Sequence, residues 1–203
     1  MKATTMTTSI LPLSDLELLR QLRCGSASAF QALYRRHQGP LYRFALLHSG
    51  SADTAADIVQ EVFMGVLTNS FKFDPLRGLL PNFLFGVARK LILRHEAPRQ
   101  RLASLPEPDE DGDAVPELAS DEAGPLARLL DDELAEQVRQ ALALLPPHYR
   151  DCVILYELHD MSYLEIADIC QLDIGTVRSR LSRGRAALAK RLGAARPASI
   201  HAA

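Results

Sequence analysis

A chain of 203 residues with 47% hydrophobic and 24% charged side chains can bury one ordinary core or two small ones, in the range of a soluble globular protein. No segment approaches the roughly 18–20 uninterrupted apolar residues of a membrane span, and the opening "MKATTMTTSILPLSDLELL" has no apolar run long enough for a signal peptide. Cys24, Cys152 and Cys170 are odd in number and lack CxxC spacing or paired histidines, which argues against a disulfide framework or a zinc site and for reduced thiols.

The formal net charge of −2 hides an uneven distribution. Residues 102–133 hold eleven acids and one base, so the remainder has 22 basic and 14 acidic residues, a net of +8. Two basic parts flanking an acidic middle are compatible with a polyanionic partner.

Taken in chain order, residues 1–13 are expected to form a flexible N-terminus. Ser14 is placed to cap "DLELLRQLRC", where Leu16, Leu19 and Leu22 share a face. "SASAFQALYRRHQGPLYRFALLHSG" sets Phe30, Leu33, Tyr34, Leu41, Phe44 and Ala45 at helical spacing and ends at Gly50. Pro40 falls inside that pattern and is expected to kink or divide it. "ADTAADIVQEVFMGVLTN" gives a third apolar face. After the turn "FKFDPLRG", Pro81 suits the first turn of a fourth helix, "PNFLFGVARKLILRHEA".

Residues 102–129, rich in Pro, Asp, Glu and Gly, read as a flexible acidic linker between domains at 14–101 and 130–193. "DDELAEQVRQALALL" is amphipathic, with acids in its first turn, and Pro146–Pro147 opens the next helix. Ser162 and Glu165 form a capping-box signature for a short helix over about 163–170. A tight turn then precedes a longer helix over about 174–192, which makes a helix-turn-helix. A flexible tail is expected over 194–203. The expected fold is all-α: two small helical domains joined by the linker.

On that last helix, at ~100° per residue, Ile174, Val177, Leu181, Leu188 and Leu192 form one apolar stripe facing the core. Ser179, Ser182, Arg183, Ala186 and Lys190 lie opposite, flanked by Arg178 and Arg180, with Arg185 nearer the boundary. Solvated faces usually mix signs, yet no acid occurs from Ile174 to Leu192. Small side chains ringed by long cations suit a helix entering the DNA major groove. A second basic helix end, "ARKLILRHEAPRQR", suggests a second DNA contact across the tether.

The C-terminal "LALLPPHYRDCVILYELHDMSYLEIADICQLDIGTVRSRLSRGRAAL" closely resembles region 4 of the extracytoplasmic-function (ECF) sigma factors, with "LPxxxR", "SYxEIA" and "GTVxSRLxRGR" in order. "AFQALYRRHQGPLYRFAL", "ADIVQEVF" and "FDPLRG…FLFGVARKL" resemble region 2 of that family. The resemblance implies a cytoplasmic alternative sigma factor that binds core RNA polymerase and directs promoter recognition, DNA opening and initiation.

By that resemblance, the upstream (−35) element falls to Arg178, Ser179, Arg180, Ser182 and Arg183, with Lys190 on the same face. The downstream (−10) element falls to Phe73, Arg77, Phe83, Arg89, Lys90 and Arg94. Polymerase contacts fall to Asp57, Ile58, Gln60 and Glu61; read without the family, Ile58 is core and the acids are solvated. The expected partners are core RNA polymerase, promoter DNA and an anti-sigma factor, without membrane insertion. The family's linkers run through a positively charged polymerase channel; a plain soluble spacer explains this linker's charge equally well.

Two departures stand out. The chain has no Trp, and Lys90 stands where the family often has an Asn that helps recognise a base. An ammonium holds phosphate but lacks an amide's paired donor and acceptor. A stand-alone helix-turn-helix regulator would leave "DIVQEVF" and "FDPLRG" without purpose, and a sigma mimic that only titrates an anti-sigma factor would not need the arginines. No catalytic, metal, cofactor or small-molecule constellation is apparent, so an enzyme is not expected. Glu157, His159 and Asp160 read as a polar helix end, and His37, His48, His95 and His148 as scattered.

Overall fold

The computed structural model describes residues 13–102 and 125–195. The linker's residues 103–124, nearly all of the expected N-terminus and residues 196–203 of the expected tail lie outside the described residues. Regular structure among the described residues is entirely helical: α1 (Asp15–Arg23), α2 (Ala27–Ser49), α3 (Ala52–Leu67), α4 (Leu80–Leu102), α5 (Pro125–Ala143), α6 (Pro147–Glu157), α7 (Tyr163–Cys170) and α8 (Ile174–Ala195).

Serines start the first three helices. Ser14, Ser26 and Ser51 each accept a hydrogen bond from a backbone N–H three residues on, satisfying one otherwise orphaned donor. Gly50 ends α2 with φ 65°. Pro40 does not divide α2, which runs continuously through it. The ring removes one backbone hydrogen bond, but Leu33, Leu41, Phe44 and Ala45 on either side of it are buried on one face, and that packing holds the axis.

Helices α1–α4 pack around Leu33, Leu41, Phe44, Ile58, Val62, Leu84, Ala88 and Ile92. Helices α5–α8 surround Leu142, Leu145, Ile154, Leu155, Ile166, Val177 and Leu181. Helix α5 begins at Pro125, inside the segment expected as linker. Proline suits a first helical turn, and Leu126, Leu129 and Leu130 extend the apolar spacing of the segment back into the expected linker. The capping box is complete: the Ser162 N–H donates to Glu165 Oε2 at 2.9 Å, and the Glu165 N–H to Ser162 Oγ at 3.3 Å. Gln171 ends α7 in the left-handed region, and Asp173 receives the Thr176 N–H at 2.8 Å to start α8.

α8 crosses α6 at Gly184, where a Cβ would lie 2.7 Å from Val153 Cγ2 and 3.3 Å from Tyr149 Cβ. Alanine there gains about 1 kcal/mol of helix propensity, but pushing α8 off α6 costs about 1–3 kcal/mol. We expect Gly184→Ala to be a net loss of stability in denaturant titration despite replacing a mid-helix glycine. A gain would contradict the described crossing.

The bundles also meet each other: α4 packs on α7, and α2 packs on α5 and α6.

Candidate nucleic-acid interface

The recognition-helix face forms as the helical wheel implies. Arg178, Ser179, Ser182, Arg183 and Lys190 are exposed and Arg180 is half-buried, while Val177 and Leu181 fill the core. Leu188 and Leu192 are half-buried, but Ile174, in the first turn, is exposed. No acid occurs anywhere in α8.

Two tyrosines brace this face. The Arg178 guanidinium lies 5.8 Å from the Tyr163 ring centroid, Tyr163 stacks on Tyr156 at 5.3 Å, and the Arg185 guanidinium lies 4.8 Å from the Tyr156 centroid. Arg185 Nε also donates to Glu157 Oε1 at 2.5 Å. Arg185 is therefore engaged at the rear of the face. The tyrosines were not singled out in the sequence; their pairing depends on how α6, α7 and α8 cross.

In the first bundle, the expected −10 residues divide. Arg77 and Lys90 are exposed and Phe83 is half-buried. Phe73 is not presented outward. It is 8% exposed and packs on Phe83 with centroids 5.3 Å apart, an aromatic anchor for the loop before α4. The tip of that loop shows Leu76, 96% exposed, which sequence reading passed over. Arg94 is paired: its Nη2 donates to both carboxylate oxygens of Glu61 on α3, at 2.6 and 2.8 Å. Two residues assigned to different interfaces thus hold each other.

On α3, Asp57 and Gln60 are exposed and Glu61 is half-buried. Ile58 is fully buried, so it packs the core and cannot touch a partner. Beside Gln60 an apolar groove is lined by Phe30, Tyr34, Tyr42, Phe63 and Met64.

Arg89 is also engaged, by the second bundle. Its Nε donates to Asp151 Oδ2 at 2.6 Å, and Asp151 Oδ1 lies 3.1 Å from His48 Nε2. Asp151 is 1% exposed and His48 2% exposed, so His48 belongs to a definite cluster and is not scattered. Burial alone would raise the Asp151 pKa, but His48 and Arg89 outweigh it and hold the carboxyl below its ordinary range. The adjacent Arg150 reaches across as well. It donates to the His48 carbonyl at 2.8 Å and to Glu96 Oε1 at 3.1 Å, while its other nitrogen caps the end of α5 through the Ala143 and Leu145 carbonyls at 2.6 and 2.9 Å.

His159 is wedged between Phe44 and Phe85, with centroids at 6.1 and 5.0 Å. Burial, with Arg43 of α2 nearby, lowers its pKa to about 4, and Asp160 only partly opposes this. An unfolded histidine titrates near ~6.5. The unfolded chain therefore binds more protons between those values, and stability present above ~6.5 drains away as pH falls toward 4. We expect the melting temperature to drop between pH 7 and pH 5, and to drop less in His159→Phe. That variant keeps the ring contacts without the buried, unpartnered Nε2. Equal pH slopes would refute the assignment.

Among the described residues, no group of three or more His, Cys, Asp or Glu is arranged to hold a metal ion, and no helix is long and apolar enough to cross a membrane. Cys152 and Cys170 are buried free thiols and Cys24 is an exposed one.

An acid-free helix-turn-helix face on one bundle and a basic helix with its loop on another define a bipartite nucleic-acid-binding protein. Residues 33–101 match the family model for sigma-70 region 2, and residues 135–188 match that for sigma-70 region 4. The chain is 36% identical over 148 residues to ECF RNA polymerase sigma factor EcfG of Rhodopseudomonas palustris, covering 73% of this chain and 76% of the relative. It is 33% identical over 159 residues to ECF RNA polymerase sigma factor SigE of Mycolicibacterium smegmatis, covering 77% of this chain and 59% of that longer relative. Sigma factor RpoE of Bartonella quintana, solved with the anti-sigma factor NepR, matches with a TM-score of 0.60 at 28% identity, over 82% of this chain and 98% of that one. The chain belongs to the ECF sigma factors of RNA polymerase. It is an alternative sigma factor, a subunit that binds core polymerase and directs promoter recognition and transcription initiation.

Proposed function

We propose that α8 reads the −35 element through Arg178, Ser179, Arg180, Ser182 and Arg183, with Lys190 holding backbone phosphate. The observation that supports this most is the exposed, acid-free face of α8 with serines at its centre. Serine hydroxyls and short side chains permit close approach, while arginines reach guanine edges and phosphates. In this reading Arg185, held by Glu157 and Tyr156, contributes little base discrimination.

The −10 element falls to α4 and its preceding loop, with Arg77, Phe83, Arg89 and Lys90 as contacts, Phe73 supporting them from behind, and Arg94 joining once released from Glu61. Asp57, Gln60 and Glu61 meet core polymerase, and the neighbouring apolar groove extends that surface. We assign domain limits of 14–101 and 130–193, with α5 beginning before the second limit, at Pro125. An anti-sigma partner is supported by the RpoE relative solved with NepR. The protein works in the cytoplasm and has no catalytic activity of its own, as expected of an initiation factor.

Tyr163 sets how well Arg178 performs. Removing its ring in Tyr163→Leu frees the guanidinium from one side, and we expect base preference at one −35 position to relax by about 2–5-fold, within the ~0.5–1 kcal/mol of an exposed cation–π contact. Tyr163→Phe should retain the preference. Selection of bound sequences by the holoenzyme checks this, and a uniform affinity loss in Tyr163→Leu would show that the ring serves folding alone.

A further inference from the structure

We infer that Asp173, at the leading end of α8, is a specificity-determining residue that selects cytosine at one position of the upstream element. The inference rests on the reading of α8 as the −35 helix. It adds the one kind of base edge that the cations of that helix do not choose.

A recognition helix meets base edges with its N-terminal residues, and that end of α8 is open: Asp173, Ile174 and Gly175 are all exposed. Asp173 sets a negative charge at the front of a helix that carries none of its own. Its carboxylate is fixed in place. The Thr176 N–H donates to Asp173 Oδ1 at 2.8 Å, and the Thr176 hydroxyl donates to Oδ2. The hydroxyl first, and then the N–H, hold the carboxyl below its ordinary range, so it is an anion at neutral pH.

A helix cap alone would account for those two bonds. It would not require the neighbouring residue to leave the carboxylate bare. A Cβ on Gly175 would lie 3.0 Å from Asp173 Oδ1, so glycine, a poor helix former, keeps that oxygen uncovered. A carboxylate offers about four acceptor positions, and Thr176 takes one on each oxygen. Acceptor capacity is left over at the end of the helix.

A carboxylate only accepts, so it discriminates by what each base shows in the major groove. Cytosine presents the N4 amino donor, adenine a donor beside an acceptor, and guanine and thymine only acceptors among their polar groups. The expected order at this position is cytosine, then adenine, with guanine and thymine rejected. Arg178, Arg180 and Arg183 are donors only and favour the opposite edge. Asp173 and Arg178 are five residues apart, about 7.5 Å along a helix, or roughly two base-pair steps of 3.4 Å. The two positions read should lie no further apart than that.

Selection by the holoenzyme from a randomised upstream element tests this with the full chain. The unsubstituted protein is expected to prefer cytosine over guanine there by about fivefold, the low end for one mismatched pair. Asp173→Ser keeps a capping oxygen but removes the acid, and should erase that preference while leaving the other positions and the melting temperature unchanged. Asp173→Asn should move it toward adenine, which an amide matches. A base profile unchanged in both variants would overturn the inference. So would an even loss at every position with a lowered melting temperature, since Asp173 would then serve as a cap alone. Arg178→Ala separates the two levels. If it leaves the upstream element intact, the reading of α8 falls and the inference with it; if it alters that element and Asp173→Ser does not, only the inference falls.

Discussion

Asp151→Ala is expected to uncouple the two bundles. The carboxylate is 1% exposed and is the only acid that Arg89 Nε is described as meeting, so its loss leaves a guanidinium facing His48 with nothing between them. Stranding a buried charge in this way costs about 3–5 kcal/mol when the structure cannot relax. Here it can relax, because parting the bundles, whose buried apolar residues form one continuous cluster, returns Arg89 to water. The measurable loss is therefore capped by the strength of the contact between bundles. Calorimetry should show one cooperative transition in the unsubstituted chain becoming two in Asp151→Ala. Asp151→Asn, which keeps hydrogen-bonding oxygen at the site, should fall between them. A single, unshifted transition in Asp151→Ala would mean that this network does not hold the bundles together.

Arg178→Ala is the variant with the largest expected effect on promoter choice. A bidentate arginine–guanine contact discriminates by about 1–3 kcal/mol, equivalent to roughly 5–150-fold. Loss on that scale is expected at one position of the upstream element, with the downstream element unchanged. Arg185→Ala is the informative contrast. Its guanidinium is already committed to Glu157 and the Tyr156 ring, so it should weaken stability modestly and leave sequence preference alone. Binding selections with the two holoenzymes compare them directly, and matching profiles would refute the distinction between the front and rear of α8.

The sequence makes the local features legible. Apolar residues three and four apart mark the helices, Ser14, Gly50 and the Ser162–Glu165 pair mark their ends, and a helical wheel isolates the outward face of α8, because these relations are complete within one element. Features that depend on distant partners do not show. Arg89 and Asp151 are 62 residues apart, and no spacing rule links them. For the same reason His48 looks like a stray histidine, and His159 like part of a polar helix end, until two bundles close on them. Phe73 falls at the −10 element through the resemblance alone, while its buried ring packs on Phe83 and pins that turn. Ile58 was assigned a partner through resemblance, while its own i, i+4 spacing with Val62 already pointed to the core. The acidic composition before α5 masked a helical start that Pro125 and the leucines after it support.

Transcription with core polymerase on a genomic fragment library, followed by mapping of the start sites, tests the central claim most directly. The account predicts transcripts whose promoters share two elements at fixed spacing, with the upstream element alone losing definition in Arg178→Ala. A chain that neither joins core polymerase nor yields such transcripts, or an Arg178→Ala variant with both elements intact, would contradict it.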